Sequence, residues 1–320
     1  MPEAVQTAPA PAALVKESER VIARGSLSFA LAARLLGRAE RDAIVMLYRW
    51  FRHCDDVIDA QQAGFAAEGH DAPSAEALAA LRESTHRAVQ GGDALDPVHV
   101  GLAHLCRQHG LPEVYLQDFL AGMAMDVDGA VYDGLSDLKL YCYRVAGTVG
   151  VIFAHIVGVS DEAALRHAAH LGIAMQLSNI ARDVADDHRM GRVYLPRQWL
   201  EAFGLTQANL LSPEKRHDLV KVVRCLVATA DQYYLSGDAG LKYLPFRAAL
   251  AVAAARGIYS AIGHAVVARG PLAWDDRTVI PLRLKLWFVA KAFVIIAATL
   301  PARLRRRWQP AALSGTWRFI

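Results

Sequence analysis

In Gln176-Leu177-Ser178-Asn179-Ile180-Ala181-Arg182-Asp183-Val184-Ala185-Asp186-Asp187, the residues Gln176, Asn179, Asp183 and Asp187 recur at spacings of three and four. On an α-helix they form one polar stripe, while Leu177, Ile180, Ala181 and Val184 make the rest of the helix apolar. A second stripe lies more than a hundred residues upstream in Tyr48-Arg49-Trp50-Phe51-Arg52-His53-Cys54-Asp55-Asp56-Val57-Ile58-Asp59, where Tyr48, Arg52, Asp55 and Asp59 share a face. Carboxylates at i and i+4 repel each other, and burying a bare charge costs several kcal/mol, so each stripe calls for a compensating cation. Carboxylate and amide oxygens are hard ligands suited to Mg²⁺, which commonly bridges one or two carboxylates to phosphates. Two facing stripes would clamp a diphosphate through several Mg²⁺ ions. An exposed acidic face explains one such motif; two on strongly apolar helices favour metal binding. Arg52 and Arg182 are either intrahelical ion-pair partners, worth a few tenths of a kcal/mol, or donors of charge-assisted hydrogen bonds to phosphate oxygens.

Outward from these stripes, apolar residues recur every three or four positions through most of the 320 residues, and no sustained alternating strand pattern interrupts them. The chain is therefore predicted to be all-α, with helices over about 18–36, 38–61, 74–90, 96–109, 112–127, 135–158, 161–188, 213–235, 245–268 and 279–300. A single helical domain is expected over 18–300, between a flexible tail over 1–17 and a basic tail over 301–320. With 54% hydrophobic and 21% charged residues there is ample core, which excludes a disordered or fibrous chain. The net charge of +3 gives no argument for a nucleic-acid partner, and none is expected. Neither a GxGxxG nor a Walker-type loop is present, so phosphate would be held by side chains and metal rather than by backbone amides.

The four cysteines, Cys54, Cys106, Cys142 and Cys225, stand singly, which suggests neither a disulfide framework nor a structural zinc motif and points to a reducing cytoplasm. Pro2, Pro9 and Pro11 among alanines do not make a secretory signal. The apolar run from Leu286 to Leu300, interrupted by Lys291, falls short of the roughly 20 residues of a membrane span. Beyond it, Arg303, Arg305, Arg306 and Arg307 beside Trp308 read either as a solvated tail or as a patch for the inner face of an anionic membrane.

Tyr141-Cys142-Tyr143-Arg144-Val145-Ala146-Gly147-Thr148-Val149-Gly150 places two glycines inside a helix, each costing about 1 kcal/mol relative to alanine. Two readings stay open: tight helix–helix packing, or a glycine-lined wall beside a long ligand, with Tyr141, Val145 and Val149 facing it.

Asp55-Asp56-Val57-Ile58-Asp59, the segment 141–150, and Leu171-Gly172 with Gln176, Asn179, Arg182, Asp183, Asp187, Arg192, Tyr194 and Pro196 together resemble the squalene and phytoene synthase family. Ser26-Leu27-Ser28-Phe29 and the run 48–59 further resemble the bacterial phytoene synthases. The likeness covers roughly residues 20–270 and fades over the last fifty. It implies a class I isoprenoid synthase fold, a helical bundle around a central cavity with the acidic motifs at its mouth. It also implies that Asp55, Asp59, Asp183 and Asp187 hold Mg²⁺, with Mn²⁺ as a substitute, and that Gln176 and Asn179 line the site. Arg52, Arg182 and Arg192 are carried over as diphosphate contacts, Tyr48 and Tyr141 lie near the reacting carbons, and Tyr259 stands for a further family tyrosine. Arg192-Val193-Tyr194-Leu195-Pro196 reads as a flap that excludes water, or as an ordinary surface loop.

The chemistry implied is head-to-head condensation of two geranylgeranyl diphosphates through a cyclopropyl intermediate to phytoene, without NADPH. Ser28, Phe29 and Ala33 would contact substrate, and the small Ala33, one turn after Phe29, leaves room for a C20 tail where C30 relatives can carry an aromatic plug. Other readings are a C30 dehydrosqualene-type synthase using farnesyl diphosphate, a terpene cyclase, a head-to-tail elongating enzyme and, in a different class, a non-catalytic prenyl-lipid-binding subunit. A membrane surface and a downstream carotenoid desaturase are the expected partners.

Overall fold

The computed structural model describes residues 11–25, 27–58, 61–62, 65–66, 75–92 and 95–299. The expected tails over 1–17 and 301–320 lie outside these residues, except for 11–17. Those seven are helical: α1 (Pro11–Gly25) opens on a proline, whose fixed φ suits a first helical turn. Contacts divide the chain after Val127 into two compact units.

The first unit holds α1, α2 (Leu27–Ala33), α3 (Arg38–Ile58), α4 (Ala75–Gln90), α5 (Pro97–His109) and α6 (Glu113–Val127). Between α3 and α4 lies the only strand pairing among the described residues, two residues each of the antiparallel β1 (Gln61–Gln62) and β2 (Phe65–Ala66). On α3, Leu47, Trp50, Phe51, Cys54 and Ile58 are buried, an i, i+3, i+4 pattern that turns the polar stripe to the remaining face. Trp50 and Phe51 meet Phe119 of α6 with ring centroids 5.4 and 4.6 Å apart. That three-ring cluster fixes the face of α3 that looks inward.

The second unit runs through α7 (Leu135–Cys142), α8 (Thr148–Ile156), α9 (Glu162–Arg189), α10 (Arg197–Ala202), α11 (Arg216–Gly240), α12 (Phe246–Arg269) and α13 (Leu282–Ala298). The helix expected over 135–158 is continuous but contains a π-helical turn, Tyr143–Gly147. α9 is about 42 Å long by its 28 residues and packs against α8, α11 and α12. Most of its apolar residues from Leu171 to Val184 are buried, and the stripe is half-exposed. Ser178 shares a 2.9 Å hydrogen bond with Tyr234 of α11, and the Arg256 guanidinium lies 5.0 Å from the Tyr234 ring, so these two buried hydroxyls satisfy each other. Phe246–Trp274 is apolar and long enough to cross a membrane by composition, and 56% of its apolar 18-residue window is buried inside the protein.

The glycine question resolves toward packing. A Cβ on Gly172 would stand 2.1 Å from the Ala146 carbonyl oxygen, and one on Gly150 would stand 2.3 Å from that of Ala168. The segment around the π turn therefore touches α9 backbone to backbone, and these glycines do not line an open wall. The widened turn is partly satisfied by Thr148 Oγ1, which donates to the Arg144 carbonyl at 2.6 Å.

Candidate functional site

In the first unit the stripe on α3 forms as expected for Tyr48, Arg52 and Asp55, all half-buried. Arg52 Nε donates to Asp56 Oδ1 at 2.9 Å, and its Nη1 lies 3.8 Å from Asp55 Oδ2. Burial alone would lower the Arg52 pKa, but the fields of Asp55 and Asp56 outweigh it and hold the guanidinium charged. The cation that this stripe requires is thus supplied within one helix. Asp59 lies outside the described residues, as do the side chains of Ser28 and Phe29. Ala33 closes α2 and is buried.

In the second unit α9 presents Gln176, Asn179, Asp183 and Asp187 on one face, with Arg182 beside them. Asn179 Nδ2 donates to Gln176 Oε1 at 3.4 Å, whereas Asn179 Oδ1 is buried with no hydrogen-bond partner. Arg182 grips Asp183 through both arms of its guanidinium, Nε to Oδ1 at 2.7 Å and Nη2 to Oδ2 at 2.5 Å. Adjacent residues on a helix do not face each other, so this contact requires the long arginine chain to fold back over its neighbour. Burial opposes the Arg182 charge, and Asp183, Tyr259 and Asp187 more than restore it, which places Tyr259 of α12 within electrostatic reach of the stripe.

A second guanidinium on Asp183 was not legible as a motif. Arg277 Nη2 lies 3.3 Å from Asp183 Oδ1 and 3.4 Å from Oδ2. It arrives on the segment after α12, a 3₁₀ turn over Gly270–Trp274. The Trp274 indole N–H donates to the Ala181 carbonyl at 3.0 Å, in the buried middle of α9. Arg269 adds bonds to Thr278 Oγ1 and the Leu272 carbonyl, both at 3.0 Å, and pairs with Asp276. Arg277 is therefore carried on a braced segment to one carboxylate.

Beyond α9, Tyr194 is buried and stacks on Tyr141, with centroids 4.8 Å apart and planes 23° apart; Tyr132 completes the cluster at 5.4 and 5.7 Å. The segment continues into backbone bonds from Arg197 N to the Tyr132 carbonyl at 2.8 Å and from Gln198 N to the Asp133 carbonyl at 3.1 Å. With Tyr194, Leu195 and Pro196 all buried, 192–196 is pinned down rather than an exposed surface loop. Tyr132 follows no recognisable spacing; only proximity in space brings it to Tyr141. Val145 and Val149 are half-buried on either side of the π turn's end.

The family model for squalene/phytoene synthase matches residues 22–285. The chain belongs to the squalene/phytoene synthase family. Squalene/phytoene synthases process prenyl diphosphates and are generally dependent on divalent metal ions. The 15-cis-phytoene synthase of Pantoea ananas is 42% identical over 301 residues, covering 92% of this chain and 97% of the relative. The phytoene synthase of Pseudescherichia vulneris is 44% identical over 265 residues, covering 82% and 86%. Among solved structures, a dehydrosqualene synthase superposes with a TM-score of 0.81 at 24% identity, covering 90% of this chain and 98% of the other, which establishes the class I isoprenoid synthase fold.

The residues fit the metal that such a family employs. On α9 a buried amide oxygen without a donor, Asn179 Oδ1, lies one turn before Asp183 and two before Asp187. An all-oxygen set of this kind suits a hard cation.

Proposed function

We infer that this protein is a phytoene synthase, a prenyltransferase that joins two geranylgeranyl diphosphates head to head and releases diphosphate. The observation that carries the reading is the near full-length identity to bacterial phytoene synthases, combined with an intact set of acidic, amide and arginine side chains on α9. In this reading Asp183, Asp187 and Asn179 would hold Mg²⁺ on α9, and Asp55 and Asp59 would do so on the α3 motif. The bound Mg²⁺ supplies neutralisation of the diphosphate's charge as it leaves.

The chain's own groups do the rest. Arg182 and Arg277 are held as a pair on Asp183, and both guanidiniums would serve the departing diphosphate as charge-assisted donors. Arg192 joins them as a diphosphate contact, and Arg52 serves as one on the α3 motif. The allylic cation left behind is attacked by the double bond of the second substrate, and loss of a proton closes the cyclopropane ring to give prephytoene diphosphate. A second ionisation, rearrangement of the cyclopropyl cation and loss of a proton then give phytoene. Such cations are quenched by water, so the buried Tyr132, Tyr141 and Tyr194 rings serve as a dry wall whose faces also stabilise positive charge. No reductant is required.

The same reading places the protein in the cytoplasm, at the inner face of the membrane. Leu282, Leu286, Trp287, Phe293 and Val294 of α13 are between about half and 71% exposed. The helix has Arg283, Lys285 and Lys291 but no acidic residue. An apolar face with only cations at its edge suits an anionic lipid surface, from which a C40 product need not enter water and can pass to a desaturase.

The test is incubation of the purified protein with geranylgeranyl diphosphate, Mg²⁺ and liposomes, without NADPH or isopentenyl diphosphate, and identification of the extracted hydrocarbon by mass. Phytoene is expected. A C30 hydrocarbon formed from farnesyl diphosphate, with nothing from the C20 substrate, would overturn the assignment while leaving the fold intact.

A further inference from the structure

Asp275-Asp276-Arg277-Thr278 sets two acids directly before the arginine that reaches Asp183. The chain from 276 to 281 is neither helix nor strand, so side chains must set its course. An arginine there, 59% exposed and next to two carboxylates, has nearer acids to pair with than one on a distant helix, and a local pair costs less ordering. Neither neighbouring acid is left to it. Asp275 faces Arg216 of α11, whose Nη2 lies 3.6 Å from its Oδ1, and Asp276 is held by Arg269, the last residue of α12.

Arg269 does more than neutralise an acid. Its Nη1 donates to the Asp276 carbonyl at 3.2 Å and to Thr278 Oγ1 at 3.0 Å, and its Nη2 donates to the Leu272 carbonyl at 3.0 Å. Thr278 is buried, and its hydroxyl donates in turn to the Ala273 carbonyl at 3.4 Å. One planar guanidinium therefore grips the residues immediately before and after Arg277 and ties both to the turn that Trp274 docks on α9. A cation at the end of α12 would suit the partial negative charge of that helix terminus wherever its side chain pointed. That general benefit does not call for acceptors on both sides of Arg277.

We propose that Arg269 is a positioning residue for the diphosphate site: it occupies Asp276 and fixes the backbone on either side of Arg277, so that the Arg277 guanidinium is delivered to Asp183 instead of to a neighbouring acid. The proposal rests on the reading of Arg277 as a diphosphate contact, and Arg269 acts through that residue. Lysine at 269 would retain the charge but lose the fork, because the donors on one ammonium nitrogen cannot span two backbone carbonyls, a hydroxyl and a carboxylate.

The experiment titrates inorganic diphosphate, in excess Mg²⁺, into full-length wild type, Arg269→Lys, Arg277→Gln and the double variant by calorimetry, with circular dichroism checking the fold of each. Arg277→Gln is expected to weaken binding by about 10- to 100-fold and Arg269→Lys by about tenfold, with the double variant no weaker than Arg277→Gln alone. A residue that merely braced the fold would weaken binding by the same factor in both backgrounds. Thr278→Val, which removes one acceptor of the fork at nearly constant volume, gives the same pattern at about threefold and decides the matter if Arg269→Lys does not fold. Wild-type affinity in Arg269→Lys, or factors that multiply in the double variant, overturns the proposal and leaves the role of Arg277 intact. Wild-type affinity in Arg277→Gln overturns that role and the proposal together. No arm depends on which hydrocarbon forms, so the phytoene synthase assignment is decided separately.

Discussion

Arg277 and Asp183 lie 94 residues apart in sequence and meet at 3.3 Å, on a carboxylate that Arg182 already holds from the adjacent position. One arginine would neutralise Asp183. The second is in excess of what the ligand-free carboxylate needs, and it is 59% exposed, so its Coulomb contribution to stability is small.

Replacement of Arg277 by Gln is accordingly expected to leave the Tm within a degree or two and to lower kcat/KM by about 10- to 100-fold, the worth of one hydrogen bond to a charged group. Steady-state kinetics with geranylgeranyl diphosphate and a thermal melt check both. Unchanged kinetics would remove Arg277 from the diphosphate site.

Asp183→Asn and Asp55→Asn keep size and shape but discard the charge a metal needs. Each is expected to reduce turnover by at least about a thousandfold, since a Lewis-acid ion supplies several kcal/mol of charge stabilisation. Circular dichroism should show the helical fold intact. Wild-type turnover in either variant would sink that residue's assignment as an essential ligand.

These acidic stripes were legible because 3.6-residue periodicity places four polar residues on one face of an otherwise apolar helix. Arg277 was not, because its position is set by Trp274 donating to Ala181 in a distant helix. No local spacing encodes that bond. α10 escaped notice for a different reason: six residues after Pro196 are too few for a periodic pattern. The π turn was hidden because an added residue merely smears the apolar period over 135–156. Tyr132 could have been found only from its partners.

Gly172→Ala is expected to destabilise the protein by about 1–3 kcal/mol, because its Cβ would stand 2.1 Å from the Ala146 carbonyl oxygen and the neighbour there is backbone, which cannot turn away. Chemical denaturation should show a lower midpoint with an unchanged slope. A midpoint equal to that of the wild type would mean that α9 and the π turn can separate at little cost.

Ala33→Phe is expected to shift preference from the C20 toward the C15 substrate. Ala33 is 5% exposed, so a phenyl ring must displace something, at about 1–3 kcal/mol if the core does not relax. Competition between farnesyl and geranylgeranyl diphosphate, read by product mass, decides it. An unaltered ratio would show that Ala33 does not set chain length.

The π turn at Tyr143–Gly147 makes this stretch one residue longer than an α-helix of the same rise needs. Deleting a single residue there could restore regular hydrogen bonding without breaking the rod. The flanks would keep their phase, because the wide turn absorbs the extra residue within the same rise. Tyr141 would still meet Tyr194, and Gly150 would still meet Ala168. The extra residue is a graft that two well-packed flanks tolerate, and what it changes is local: a loosened turn whose Arg144 carbonyl is served by Thr148.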